Sequence, residues 1–215
     1  MEIVWFGHAC CALKNDITTI ITDPFDSSLG LKLPALEADI VTVSHDNPRH
    51  NAVDMVGGSF KVVNRPGEYE IRDIFIQGQA LFPAKAKGAE AVQARNIVFV
   101  YYIEEITICH LGDIAQVPTQ SQMEALDNID ILLIPIGGGN SLNATQAAEV
   151  ISLIQPSIII PIHYALPGIS IILDPLEKFL QEMGQSQVEA QSRLRIRQVD
   201  LPIETQIVVL KPTFE

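Results

Sequence analysis

The residues best suited to chemistry are the five histidines, His8, His45, His50, His110 and His163. Four stand at, or just beyond, the ends of apolar runs. His45 follows DIVTVS, His110 closes EITIC with Asp113 just beyond it, and His163 follows SIIIPI. His50 lies five residues past His45. On sheet-based folds active sites gather where strands end and loops begin. Imidazoles and a carboxylate collected at several such ends would be suited to holding a metal ion. Any one histidine taken alone reads as a satisfied structural residue; four at equivalent places point to a shared site.

The elements that must position these residues follow from periodicity. EIVWFGHACCALK (2–14) and ITTIITD (17–23) flank Asn15-Asp16, a hairpin turn, and both read as strands. DIVTVS (39–44), FKVVN (60–64), IRDIFIQG (71–78), NIVFVYYIE (96–104) and EITICHL (105–111) continue the series. IDILLIPI (129–136) and SIIIPI (157–162) are unbroken apolar runs, as expected of strands buried on both faces. RLRIRQV (193–199) and TQIVVLK (205–211) read as closing strands.

Helices are expected at 119–128, 143–155 and 175–184, with start signals at Thr119/Gln122, Asn143 and Asp174-Pro175. The cap role accounts for Asp174. The segment PAKAKGAEAVQA (83–94) reads as an exposed loop. Two sheets with helices outside would bury this pattern in one domain, 1–215, of the α/β class.

The charge narrows the function. Lys and Arg number 14 against 26 Asp and Glu, a net −12 over 215 residues, which argues against a nucleic-acid partner. The run 153–173 is broken by Pro156, Pro161, His163 and Pro167, so it reads as strand and loop, and no membrane partner is expected. The N-terminus lacks a basic region before its apolar run and is not read as a signal peptide. Cys10, Cys11 and Cys109 form no C-x-x-C pair, which suits a reducing, cytoplasmic setting.

The order WFGHACCAL, ITDPF, VTVSHDNPRHN, RPGEYEI, ICHLGD, LIPIGGG and IIPIHY resembles the metallo-β-lactamase superfamily. It is most similar to the branch containing ascorbate-6-phosphate lactonase-like, metal-dependent hydrolases. The resemblance implies a four-layer αββα sandwich. It also implies a site where metal ions acidify bound water for attack on an ester, lactone, amide or phosphoester. Carried over residue by residue, it makes His45, His50, Asp113 and His163 metal ligands. It places His8, His110, Asn47, Arg49 and Asp23 around the site; with Asp113, His110 is a catalytic candidate, as general acid or substrate contact, and a buried hydrogen-bonded histidine is the alternative.

The resemblance also marks departures. The superfamily pattern is H-x-H-x-D-H, and here Asn47 stands at the second histidine and Arg49 at the aspartate. Pro83 aligns with a further ligand histidine. The surviving residues suffice for at most one divalent ion, zinc or manganese, and binding none is the alternative. We expect Arg49 to replace the second ion and pair with Asp113, since a lone buried carboxylate is costly. An amide oxygen at Asn47 would be a weak ligand.

Asp23 before Pro24 is either a support behind the site or a turn starter. Glu68 and Glu70 read as solvated. Gly137–Gly139 could cradle an anion but lack the Lys-Ser/Thr of a P-loop. Arg193, Arg195 and Arg197 form a basic stripe that fits protection of a sheet edge.

Two functions follow. One is a weakly active or non-catalytic relative that keeps the pocket for a small-molecule ligand, an anion among the candidates. The other is a single-metal hydrolase of a lactone, ester or phosphoester. The three lost ligand positions incline the reading to the first. A homo-oligomer is compatible with either.

Overall fold

The computed structural model describes residues 1–81, 95–123, 126 and 128–214; the 83–94 segment, and Pro83 with it, lies outside them. The first strands are β1 (Glu2–Trp5), β2 (Cys11–Lys14), β3 (Thr19–Thr22), β4 (Leu36–Glu37), β5 (Ile40–Thr42), β6 (Val56–Gly57) and β7 (Lys61–Val63). Then come β8 (Gly67–Ile71), β9 (Ile74–Leu81), β10 (Asn96–Ile103), β11 (Ile106–His110), β12 (Ile131–Pro135), β13 (Ile158–Ile162), β14 (Leu194–Arg195) and β15 (Gln206–Ile207). The helices are α1 (Gln120–Met123), α2 (Ala144–Ile154) and α3 (Leu176–Glu182).

One sheet has six strands in the order β14-β1-β2-β3-β5-β7, another seven in the order β15-β13-β12-β11-β10-β9-β8, and β4 and β6 pair in a two-stranded sheet. Side-chain parity shows how the first sheet is buried. Ile3, Trp5, Cys11, Leu13, Ile20 and Ile40 join the core shared with Phe99, Tyr101 and Ile108 of the second sheet. The residues between them, Ala12, Ile21 and Val41, pack outward into a second cluster with Phe25, Leu29 and Val56. A strand alternates its faces, so both faces of this sheet are covered.

On the outside of the seven-stranded sheet, Ala147 and Val150 of α2 and Phe179 of α3 enter the main core. The other outer layer is thinner. Among the described residues it carries 3₁₀ turns at Ser27–Leu29 and Val53–Met55 rather than α-helices. No helix among the described residues is long and apolar enough to cross a membrane.

Several expectations need correction. The run 2–14 is two strands, not one: Phe6 N–H donates to Cys10 O and Cys10 N–H to Gly7 O, closing a tight turn with His8 at positive φ. The run 71–78 turns at Arg72-Asp73, both left-handed, so β8 and β9 form a hairpin. In α3 the capping residue is Pro175, not Asp174, whose carboxylate instead accepts from Lys178 four residues on. At 119–122 the Gln122 side chain accepts from Thr119 N–H, but among the described residues the helix ends at Met123. Asn143 and Gln146 do form a reciprocal capping box. The closing strands shrink to two residues each, and 198–200 is a 3₁₀ turn. The three cysteines are buried and unpaired.

Candidate metal centre

β11, β12, β13 and β15 run parallel, as do β3, β5 and β7. Asp23 follows β3, His45 follows β5, Asp113 follows β11 and His163 follows β13. His8 sits in the turn after β1. Four rings converge: His8 lies 4.0 Å from His163 and 4.5 Å from His50 between centroids, and His45 lies 4.0 Å from His50.

Each imidazole from the later chain has one nitrogen committed. His50 Nδ1–H donates to Asp23 Oδ2 at 3.0 Å. Ser44 donates to the same carboxylate twice, from N at 2.7 Å and from Oγ at 2.5 Å. With that hydroxyl hydrogen spent, Ser44 Oγ accepts from His45 Nδ1–H at 3.1 Å. Likewise Ser141 Oγ donates to Gly138 O, so its 3.4 Å contact with His163 Nδ1 has the ring N–H donating. The network therefore leaves the Nε2 lone pairs of His45, His50 and His163 open. A carboxylate behind a histidine is the arrangement that orients metal-binding imidazoles.

Asp113 faces those lone pairs. Its Oδ1 is 3.5 Å from His163 Nε2 and its Oδ2 is 3.9 Å from His50 Nε2. Oδ1 is buried and without a hydrogen-bond partner, as is His8 Nδ1. The separations are too long for hydrogen bonds. They are near the ~3.4 Å expected between two tetrahedral ligands about 2.1 Å from a shared ion. Two sets of donor atoms lie within 4.8 Å of one another, His8/His50/His163 and His45/His50/Asp113. By donor chemistry the residues fit one divalent ion.

Electrostatics agree with the tautomers. Burial, with His163, His50, His45 and Arg49 as neighbours, holds the His8 pKa well below its ordinary value. Burial pushes His50 down to about 4, partly opposed by its bond to Asp23. Burial raises Asp23, but the hydrogen bond and charge of His50 outweigh it and bring the carboxylate to about 2. At neutral pH the pair is thus an aspartate and a neutral imidazole.

Other candidates lie elsewhere or do other work. His110 is fully buried, with Nε2 2.9 Å from Ala9 O and 3.4 Å from Thr22 Oγ1. Its Nε2 tethers the turn that carries His8, while its Nδ1 is buried without a hydrogen-bond partner. Arg49 is half-buried, and no ion pair joins it to Asp113, which contradicts the expected substitute for a second ion. Asn47 gives its side-chain oxygen to Arg49 N–H at 3.0 Å and its carbonyl to His50 N–H at 2.7 Å. It shapes the loop that turns His50 inward instead of acting as a ligand.

The Gly138 N–H is taken by Leu142 O, so this loop seats Ser141 beside His163. Glu68 and Glu70 are exposed. Arg193 and Arg195 pair with Glu2 across the sheet edge, and Arg197 with Asp200.

Three positioning residues escaped the sequence reading: Ser44, Asn96 and Ser141. Asn96 donates to Leu111 O and accepts from Asp113 N–H, fixing the Asp113 turn. Its signal was a buried amide opening an otherwise apolar strand. Gly112, at φ +65, lies so close that an added Cβ would fall 2.5 Å from Asn96 Oδ1 and 2.6 Å from Ser44 Cβ.

With this geometry in hand, comparisons give a consistent result. The model of the beta-lactamase superfamily domain matches residues 2–163. A Thermotoga maritima structure classed as a Zn-dependent hydrolase of the metallo-beta-lactamase superfamily is 36% identical, covers 99% of each chain and has TM-score 0.81. The UPF0173 metal-dependent hydrolase of Lysinibacillus sphaericus is 26% identical over 76% of this chain and 85% of its own length. An isothiocyanate hydrolase from Delia radicum gut bacteria shares the fold at 14% identity, with TM-score 0.70 over 92% of this chain and 99% of that one.

Proposed function

The chain belongs to the metallo-beta-lactamase superfamily, and on that premise we propose that it is a single-metal hydrolase of a small anionic ester, lactone or phosphoester. The observation that carries this reading is the buried, unpartnered Oδ1 of Asp113 facing His163 Nε2 at 3.5 Å. A carboxylate oxygen buried without a donor or a cation against it is an uncompensated charge, which a bound cation relieves. His50, His163 and Asp113, with His8 or His45, would hold the ion. When bound, a divalent ion supplies acidified water and a Lewis acid.

The chain's own residues do the rest. Asp23 and Ser141 fix the imidazole tautomers, and Asn96 fixes Asp113. His45 also lines a cleft of about 410 Å³ with Asn64, Arg65 and Arg95, where guanidinium groups suit a carboxylate or phosphate on the substrate. Three unpaired thiols fit a reducing compartment such as the cytoplasm.

A ligand-binding relative without turnover is the second reading; it draws on Asn47, spent on its loop, and on Arg49 at a carboxylate position. The test is elemental analysis of the purified protein before and after incubation with zinc and manganese, followed by a panel of lactones and phosphoesters. About one ion per chain, with turnover lost on chelation and restored on reloading, is expected. Metal without turnover favours the second reading, and no retained metal refutes the first.

A further inference from the structure

The superfamily pattern leaves the ion at His50, His163 and Asp113 short of a ligand, because position 49 is arginine. We propose that His8 fills that place, so that the ion is held by His8, His50, His163 and Asp113. The inference rests on the metal-dependent reading above and goes beyond it, since His8 belongs to no part of the H-x-H-x-D-H pattern.

Three observations carry it. The donor atoms of His8, His50 and His163 lie within 4.8 Å of one another, and all three residues are buried. His8 Nδ1 is buried without a hydrogen-bond partner, whereas the Nδ1 atoms of His50 and His163 have fixed acceptors. The backbone is also built to hold the ring there. His8 O accepts from Trp5 Nε1 and from the N–H of His163, both at 2.9 Å, so two of the ligating residues are joined directly through main chain. His110 ties down the next carbonyl, that of Ala9.

A packing role accounts for little of this. His8 holds a left-handed conformation at φ 50, which costs an ordinary residue about 1 kcal/mol. His110 Nδ1 is also buried without a partner, but its Nε2 is spent on Ala9 O, whereas neither ring nitrogen of His8 makes a hydrogen bond among the described residues. Ligation uses both the strain and the open nitrogen. Three imidazoles and one carboxylate form a borderline donor set that favours zinc over the harder manganese. His45 is then left facing the arginine-lined cleft.

The test uses the full chain with zinc and cobalt as probes. His8→Gly keeps the positive φ and should weaken zinc binding, measured by chelator competition, at least ~100-fold, more than the loss of an outer-shell partner; added imidazole should restore part of it. His45→Ala should change it far less. His8→Cys, loaded with cobalt, should show an intense near-ultraviolet thiolate-to-cobalt band.

Wild-type zinc affinity in His8→Gly, or no such band in a cobalt-loaded His8→Cys, overturns the role of His8 and leaves the metal reading intact. A wild-type chain that binds neither ion overturns both. If His8→Gly fails to fold, the cobalt spectrum of His8→Cys decides.

Discussion

Asp23→Asn is the most informative single change away from the proposed ligands. Asp23 is fully buried, at φ 39, and asparagine accepts left-handed backbone readily, so the turn should survive. The amide oxygen can still accept from Ser44 N–H, and Ser44 Oγ can reverse to accept from the new NH₂. What cannot be kept is the acceptor for His50 Nδ1–H, now 3.0 Å from a carboxylate oxygen. Leaving that donor buried and unmet costs about 1–3 kcal/mol of stability.

The ring can escape by moving its proton to Nε2, but that closes the lone pair aimed at Asp113. Metal affinity should therefore fall about 10- to 100-fold, or ~1.4–2.7 kcal/mol. Chelator competition with zinc reads the second effect, and thermal melts of the metal-free protein read the first. Unchanged zinc affinity in a folded Asp23→Asn protein would refute the argument that this carboxylate sets the His50 tautomer.

Other expectations are separate. His50 has a folded pKa of about 4, below its ordinary 6.5, so the stability tied to its neutral form is complete above 6.5 and lost as pH falls through 4. That amounts to about 3 kcal/mol, visible as a falling melting temperature in chelator-treated protein between pH ~7 and ~4, and a His50→Gln variant should lack this part of the slope. Gly112→Ala should destabilise by at least about 2 kcal/mol in urea titration, through positive φ and the clash with Asn96 and Ser44. His110→Asn should cost about 1–2 kcal/mol of stability, from its lost bond to Ala9 O, without moving the pH profile of any hydrolysis; a shifted profile would restore it as a proton donor.

Much of the scaffold is legible without coordinates, for identifiable reasons. The runs at 131–135 and 158–162 are buried at every position, and only a strand covered on both faces tolerates that composition. Asn143 announces a helix start by its side chain alone, and Gln146 completes the capping box in the fold. The turns inside 2–14 and 71–78 are hidden because their residues are apolar or ordinary in type; only positive φ at Gly7, His8, Arg72 and Asp73 marks them.

The site divides the same way. Histidines at strand ends can be read from spacing, but which nitrogen points inward depends on Asp23, Ser44 and Ser141. Those contacts, some between residues far apart in the chain, exist only in the folded protein. The pairing of Arg49 with Asp113 fails for a related reason. Charge balance proposes a partner, but the Asn47 turn presents His50 inward, and no ion pair joins Arg49 to that carboxylate.

The main-chain bond from His163 N–H to His8 O has a consequence for biosynthesis. The proposed donor set runs from residue 8 to residue 163, so during translation no such ion site can exist until most of the polypeptide has left the ribosome. On that proposal, metal binding is linked to the completed fold rather than to any early segment of the chain. Scarcity of the ion would then yield a complete but unloaded protein, weaker by the binding linkage RT ln(1 + [L]/Kd).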